Sequence, residues 1–448
     1  MVQFSFLSNN IIGLSILGQY LLAFIIRKIP VHPNSDNSYP FGAKLRVILQ
    51  LIFSSLMCFA LYGSTCLYVL GAFIISYFLL YLPRKYILFS NIVPWTAVFI
   101  VHFYRAHYIK SGWGSDVSGL IMFCTLRFLY LSFEIYDGLN PQKNPRKVWE
   151  DWKLEKVPLL SEYLAFIFSF AGLFNGPVVP FKAWQTTIFI FNTNISSTVL
   201  KRSFFSWLRS IFFGFSYAYL IKKWPCSYLL SPEFNALPYF TRLLHATCFS
   251  YFHAFRYIGA WAAGEAALII MGLTEQSVFE FEDCRSFRPK QYFTVRCARD
   301  MIREWNHTIH IMYKETVFCH LLNAKFSKVF ASIIVFLISS FWHGLFTGYY
   351  ADSAEFLFVE ILDDIRFKNL SPLIEEYLGK EINQVIDTIW AQYITFFVNT
   401  CWDMYFASYY WKFLINVKFG PIIFLIFLDI LGVILQKYKK SGQKDHKE

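Results

Sequence analysis

An all-α, polytopic membrane protein is the architecture this sequence predicts, on three observations: an apolar composition, a series of apolar segments of near-spanning length, and basic residues gathered between them. Of its 448 residues, 56% are hydrophobic and 16% charged, with a mean hydropathy of +0.41; a water-soluble domain of this size cannot bury that much apolar surface. Phe, Tyr and Trp number 51, 28 and 13, a supply of rings suited to lipid tails and to the headgroup boundary. The solvent of this chain is mostly bilayer.

The first apolar segment, 11–26, is followed by Arg27 and Lys28 and lacks a small-residue cleavage site, so it is read as a retained helix ending in the cytosol. Further segments follow at 47–62, 66–82, 87–104, 117–136, 160–181, 204–221, 239–253, 257–273, 327–350, 389–410 and 412–436. At about 20 residues per span, this makes roughly 10–12 membrane segments, the shorter ones tilted, re-entrant or sheltered within a bundle. Arg27 to Arg46, Arg84 with Lys85, and the loop carrying Lys143, Arg146, Lys147, Lys153 and Lys156 fit one cytosolic side. Lys201 with Arg202 and Lys222 with Lys223 flank a single segment on both ends, so simple alternation stops near residue 200. Two polar connections, a mixed one at 274–304 and an acidic one at 351–388, are each too short for a separate enzyme domain. The reading is one membrane-embedded domain over 1–448, with a basic cytosolic tail at 437–448.

A net charge of +11 and a pI near 9.0 express topology and attraction to anionic headgroups, because no soluble module offers a basic face to nucleic acid. The nine cysteines contain no C-x-x-C pair and read as buried thiols, without a metal site or disulfide framework.

Chemistry concentrates in two places. The apolar run from Phe330 to Tyr350 contains Trp342-His343-Gly344-Leu345-Phe346-Thr347-Gly348-Tyr349, and an imidazole at bilayer depth is a functional candidate by default. A neutral histidine hydrogen-bonded within the bundle is the competing reading. Upstream stands Trp305-Asn306-His307-Thr308; it also fits a glycosylation sequon, but the aromatic neighbour and the flanking chain read as membrane-associated.

An Asn after Trp, followed some tens of residues later by Trp-His-Gly-x-x-x-Gly-Tyr, resembles the paired signature of the membrane-bound O-acyltransferases (MBOAT). The resemblance implies a helical bundle enclosing a catalytic chamber, with His343 and Asn306 as the catalytic pair. Gly172-Leu173-Phe174-Asn175-Gly176-Pro177 and Arg256-Tyr257-Ile258-Gly259-Ala260-Trp261 are similar to motifs of the lysophospholipid branch. Asp283-Cys284 with Arg296, Arg299-Asp300 and Trp305-Asn306 resembles the spacing of lysophosphatidylinositol acyltransferases. The likeness is fullest over 160–350; Pro180-Phe181, Ile258 and His310 to Met312 depart from the usual residues.

The implied reaction moves an acyl group, polyunsaturated by preference, from acyl-CoA to the hydroxyl of a lysophospholipid, most nearly lysophosphatidylinositol, within the endoplasmic reticulum membrane. Acyl-CoA is then a co-substrate, and no cofactor is implied. A neutral imidazole suits proton removal from the attacking hydroxyl, and an amide N–H donor suits the oxyanion or the alignment of substrate. No Gly-x-Ser-x-Gly elbow suggests a covalent intermediate. Substrate contacts are expected from Trp342, Trp305, Gly176, Pro177, Arg256, Tyr257, Trp261, Arg285, Arg296 and Arg299, the arginines facing CoA or inositol phosphates. A solvated positive-inside loop is the plainer account of any one of these arginines. Acyl transfer to another lysophospholipid, a protein or a sterol remains open, as does a transporter lined by His343, Asn306 and Arg256. Oligomeric state is not encoded in any feature found.

Overall fold

The computed structural model describes residues 18–32, 39–109, 116–140, 152–173, 176–275 and 280–445. The loop cations Lys143, Arg146 and Lys147 and the Phe174-Asn175 pair lie outside them. Among the described residues the regular structure is helical; the one extended pairing is an isolated antiparallel bridge between Phe287 and Trp305. The chain divides into two compact units, each drawn from three separated stretches.

The first unit comprises Met1–Gly214, Arg256–Ser286 and His307–Val335. Its centre is the Ser118–Leu139 helix, whose most apolar stretch is 94% buried, whereas that of the Phe41–Leu79 run is only 28% buried. A helix apolar on every side is stable either inside protein or against lipid, and these two occupy the two cases. Leu56, Phe59, Leu67 and Phe78 project outward from the second, as lipid-facing side chains do.

The expected segment at 160–181 is not one helix. Leu160–Ile167 makes two turns, the chain then leaves helical geometry, and Phe181–Phe189 resumes it. The interruption frees carbonyl groups in a buried place, and Arg127 takes them. Its guanidinium, reaching out from the Ser118–Leu139 helix, donates to Ile167 O at 2.9 Å, Ser169 O at 3.1 Å, and Ala171 O and Gly172 O at 2.9 Å each. The planar fork of five donors satisfies more carbonyls at once than any other side chain. Glu134, from the same helix, accepts from the Phe181 N–H at 2.9 Å, so one helix binds both the start of the break and the start of the next element.

Arg27 and Arg46, read from sequence as marks of a cytosolic boundary, are 1% and 0% exposed. Arg46 donates to the carbonyls of Thr187, Ile188 and Ile190 at 3.0 to 3.1 Å, and Arg27 pairs with Glu275 at 2.5 Å. They terminate backbone inside the unit, where a loop cation meets headgroups.

The second unit comprises Phe215–Phe255, Phe287–Asn306 and Phe336–Glu448. The acidic stretch expected as a connection at 351–388 is instead helix: Thr347–Asn369, Ser371–Leu378 and the start of Lys380–Val398. Asp363 and Asp387 face inward, where cations meet them. Arg366 donates to Asp363 and to Asp387, both at 2.7 Å; Asp387 also accepts from Arg296 at 2.8 Å and from Ser371 at 2.6 Å. Asp363 accepts the Trp390 indole N–H at 2.9 Å and the Ala298 N–H at 2.6 Å. Asp363 and Asp387 are 0% exposed and Arg366 is 2% exposed, so these three groups are dry and nearly every carboxylate lone pair is engaged, while Arg296 reaches them from a partly exposed position. The Gly420–Lys439 stretch is apolar and only 22% buried, another surface for lipid.

Four helical stretches among the described residues are long and apolar enough to cross a bilayer unaided: Phe41–Leu79, Arg84–Tyr108, Ser118–Leu139 and Gly420–Lys439. Of the other apolar segments read from sequence, 239–253 and most of 257–273 run together in one helix, Tyr239–Ile270; 204–221 lies on Ser197–Leu220, which turns Ser203, Ser206 and Ser210 inward; and 327–350 and 389–410 are divided among shorter helices.

Replacing Arg127 by Met strands four buried carbonyls and is expected to destabilise the protein by at least about 3 kcal/mol, read as a lowered Tm in detergent; Lys, with three donors and no fork, restores part of it. Arg366→Met leaves two buried carboxylates without their shared cation, and an expected loss of about 3–5 kcal/mol is checked by the same measurement.

Candidate active site

His343 is the last residue of the Lys328–His343 helix. Gly344 follows at φ 147°, a conformation open to glycine and strained for other residues, and turns the chain out of helical register. The next helix, Thr347–Asn369, starts after only three residues. The second motif glycine, Gly348, serves a close approach instead, since a Cβ there would collide with the Tyr405 backbone. Its N–H donates to Tyr405 O at 2.7 Å. The Trp-His-Gly-x-x-x-Gly-Tyr run is thus a helix end, a tight reversal, and a docking point for the chain around residue 405.

The imidazole of His343 is enclosed by rings. Trp342 and Trp402 each have a ring centroid 4.2 Å away, Trp402 at an interplanar angle of 88°, and Tyr349 lies at 5.9 Å. Trp342 and Tyr349 are 2% and 0% exposed, and the His343 Nδ1 atom is buried. The Nδ1 edge of the ring therefore faces protein, while the residue as a whole is half-buried.

Asn306 belongs to the same unit. Trp305 pairs with Phe287 in the isolated bridge, Arg288 grips Glu304 through two bonds of 2.8 and 2.6 Å, and the His307 N–H donates to Ser286 O at 2.9 Å. Held on both sides, Asn306 adopts φ 47°, a left-handed conformation that Asn tolerates better than most residues. Its Oδ1 is buried and has no hydrogen-bond partner among the described residues. A fixed amide of this kind can orient a ligand without first breaking a protein contact.

Arg296 and Arg299 also lie in this unit but are committed to carboxylates. Arg296 joins the buried Asp387 network, and Arg299 pairs with Glu360 at 3.2 Å and with Asp364. Burial raises Asp364, but the hydrogen bonds from Lys368 and Arg299 outweigh it and hold the carboxyl below its ordinary range. A cavity of about 410 Å³ lined by Arg296, Phe367, Ser371, Pro372, Glu375 and Glu376 carries more acid than base, a poor match for phosphates.

The remaining sequence candidates fall in the other unit. Gly176 and Pro177 close a turn in which Gly172 and Gly176 have φ of 69° and 85°; a Cβ at Gly264 would strike the Gly176 carbonyl, so the glycines serve close backbone approach. Arg256 donates to the Tyr257 hydroxyl at 2.8 Å, and Tyr257 stacks on Trp261 with centroids 6.0 Å apart. Arg285 pairs with Glu282 at 3.0 Å and covers the Phe281 ring.

Sequence reasoning misses Trp402 and Tyr349 as neighbours of the histidine. Tyr349 ends the motif itself, so its place is legible there; nothing in the local pattern around Trp402 distinguishes it from the other indoles of the chain.

Residues 114–360 match the membrane-bound O-acyltransferase family. The chain is similar to a lysophospholipid acyltransferase of Schizosaccharomyces pombe, 21% identical over 80% of this chain and 71% of the relative. It is also similar to lysophospholipid acyltransferase 5 of Drosophila melanogaster, 24% identical over 66% of this chain and 60% of the relative. A third relative is the membrane-bound acylglycerophosphatidylinositol O-acyltransferase mboa-7 of Caenorhabditis elegans, 24% identical over 68% of this chain and 72% of the relative. With more than half of the chain matched, and with the motif histidine ending a helix in an aromatic enclosure, the protein is an integral membrane protein that belongs to the membrane-bound O-acyltransferase family.

Proposed function

We propose that this protein transfers an acyl group from acyl-CoA to the free hydroxyl of a lysophospholipid, with lysophosphatidylinositol the preferred acceptor and polyunsaturated chains the preferred donors. The observation that carries the proposal is the enclosed His343 imidazole in one unit with Asn306, whose amide oxygen has no protein partner among the described residues. The names of the fission yeast, fly and nematode relatives support the acceptor class, and the nematode name supports the inositol headgroup.

In the proposed reaction the lysophospholipid hydroxyl attacks the thioester carbonyl carbon while an imidazole nitrogen of His343 accepts its proton. The tetrahedral oxyanion collapses, the C–S bond breaks, and the proton passes from the imidazolium to the departing CoA sulfur. Products are the diacyl phospholipid and free CoA. The Asn306 amide aligns the hydroxyl by accepting from it through Oδ1, which is unpartnered among the described residues, or stabilises the oxyanion through its N–H group, and the aromatic walls limit water's competition for the thioester.

Among the arginines considered for phosphate contact, we favour Arg285. Its partner Glu282 is 39% exposed, so a phosphate can displace that carboxylate into water, and the Arg285 Nε is buried without a hydrogen bond. Pulling Arg296 away from Asp387, which is 0% exposed, takes one of two guanidinium partners from a buried carboxylate and is costly. Trp342, Trp305, Gly176, Pro177, Arg256, Tyr257 and Trp261 are proposed to shape the acceptor and acyl-chain paths within their own units. Family resemblance supports residence in the endoplasmic reticulum, to be checked by imaging a tagged chain.

Release of CoA by purified protein, measured across lysophosphatidyl-inositol, -choline, -ethanolamine and -serine acceptors with saturated and polyunsaturated donors, tests the proposal. The expected outcome is CoA release with every active pair and fastest turnover with the inositol acceptor; no release with any acceptor removes it. His343→Ala is expected to lower turnover by about 10²–10⁴ with an unchanged Tm, and Asn306→Ala by about 10²–10³. Near-wild-type turnover in His343→Ala assigns that ring to structure.

A further inference from the structure

A side chain on the final residue of a helix, followed by a glycine at φ 147°, has no succeeding turn to brace it. The direction of the His343 ring must therefore be set by contacts from elsewhere. Trp342 is its chain neighbour and Tyr349 heads the next helix, so both move with the same reversal. Trp402 alone among the three arrives on an independent segment, the short stretch Asn399–Met404, and meets the imidazole at 4.2 Å and nearly perpendicular.

That segment is clamped far more firmly than its length requires. The Thr400 hydroxyl is 2.8 Å from that of Ser250, and Asp403 Oδ2 is 3.1 Å from His253 Nδ1, one hydrogen bond and one close polar contact to a single helix on either side of Trp402. The His253 Nε2 lies 3.2 Å from the Trp224 carbonyl, which fixes the ring that stands against Asp403. On the other flank, Cys401 Sγ lies 3.5 Å from Gly348 O, the Gly348 N–H donates to Tyr405 O at 2.7 Å, and the Ala407 N–H donates to Thr347 Oγ1 at 3.0 Å. Tyr405 closes the stretch at φ 57°, a strained value that surrounding contacts have to hold. All of these residues lie in one unit.

We propose that Trp402 is a positioning residue for His343: its indole, held by the Ser250–Thr400 and His253–Asp403 clamp, confines the imidazole to the orientation from which it takes the acceptor proton. The inference rests on the acyl-transfer reading for its kinetic consequence, but not for the orientation itself. Proton transfer demands tight geometry, and a displacement near 1 Å lowers turnover by about 10²-fold. Loss of the indole frees the ring without touching substrate, so its effect falls on kcat and leaves KM nearly unaltered.

The test uses purified full-length protein with Trp402→Leu, Trp402→Phe and Asp403→Asn. Two readouts are taken: kcat and KM for CoA release, and the rate at which diethyl pyrocarbonate modifies His343, followed by mass spectrometry of its peptide. Trp402→Leu is expected to lower kcat by about 10- to 100-fold, to change KM less than about threefold, and to speed His343 modification. Phe, which keeps an edge-to-face ring, restores at least a third of kcat and slow modification; Asp403→Asn falls between. Unaltered kcat and unaltered modification in the Leu variant overturn the proposal. So does a parallel fall of kcat, rise of KM and fall of Tm that Phe fails to rescue. Should the Leu variant not fold, Asp403→Asn with wild-type modification kinetics overturns it as well. A wild-type protein that releases no CoA sinks the acyl-transfer reading, while the modification rates still decide the orientation.

Discussion

A chain without bulk water has to satisfy its own polar groups, and that requirement governs the structure. In an aqueous protein a broken helix exposes carbonyls to solvent at modest cost; here the break after Ile167 is possible because Arg127 collects the carbonyls of Ile167, Ser169, Ala171 and Gly172. Arg46 does the same where the Phe181–Phe189 helix ends. The fork of a guanidinium turns a strained, non-helical path into a permitted one. The irregular segment it stabilises contains the Gly-Pro turn, so a motif that looks like a site is first of all a backbone arrangement made tolerable by one cation.

The same constraint explains the acidic helices of the second unit. Carboxylates at Asp363 and Asp387 stay buried because Arg366, Arg296, Ser371, Trp390 and the Ala298 N–H meet them from several elements at once. A network of that kind is intolerant of partial disruption, which makes it a device for fixing the relative register of the helices that contribute to it. Around His343 the material differs. Trp342, Trp402 and Tyr349 stand against it, and rings restrain an imidazole by shape, where the carboxylate network works by charge.

Legibility follows the range of each interaction. Apolar segments, the Trp-His-Gly motif and the Trp-Asn pair stand in contiguous residues, and the family match over 114–360 agrees with the resemblance they carry. The two motif glycines are visible in the sequence, although their separate roles, a reversal at Gly344 and a backbone contact at Gly348, are not. Arg27 and Arg46 read as boundary charges because a cation near a helix end is usually solvated; only long-range partners, carbonyls of residues 187, 188, 190 and 194, reveal otherwise. The acidic stretch at 351–388 misleads for the same reason, since a carboxylate without a visible cation nearby reads as surface.

Hydropathy and short motifs are local properties, so the residues in their order suffice to say that the chain is helical, lives in lipid, and carries a histidine and an asparagine worth attention. Where helices break, which arginines bind backbone and which bind acid, and which indole stands against the imidazole are settled only once the chain has folded. Those outcomes depend on groups far apart in the chain whose partners are chosen by burial: in a dry interior a donor is drawn to acceptors near it in space, and distance along the sequence carries no information about which one that is.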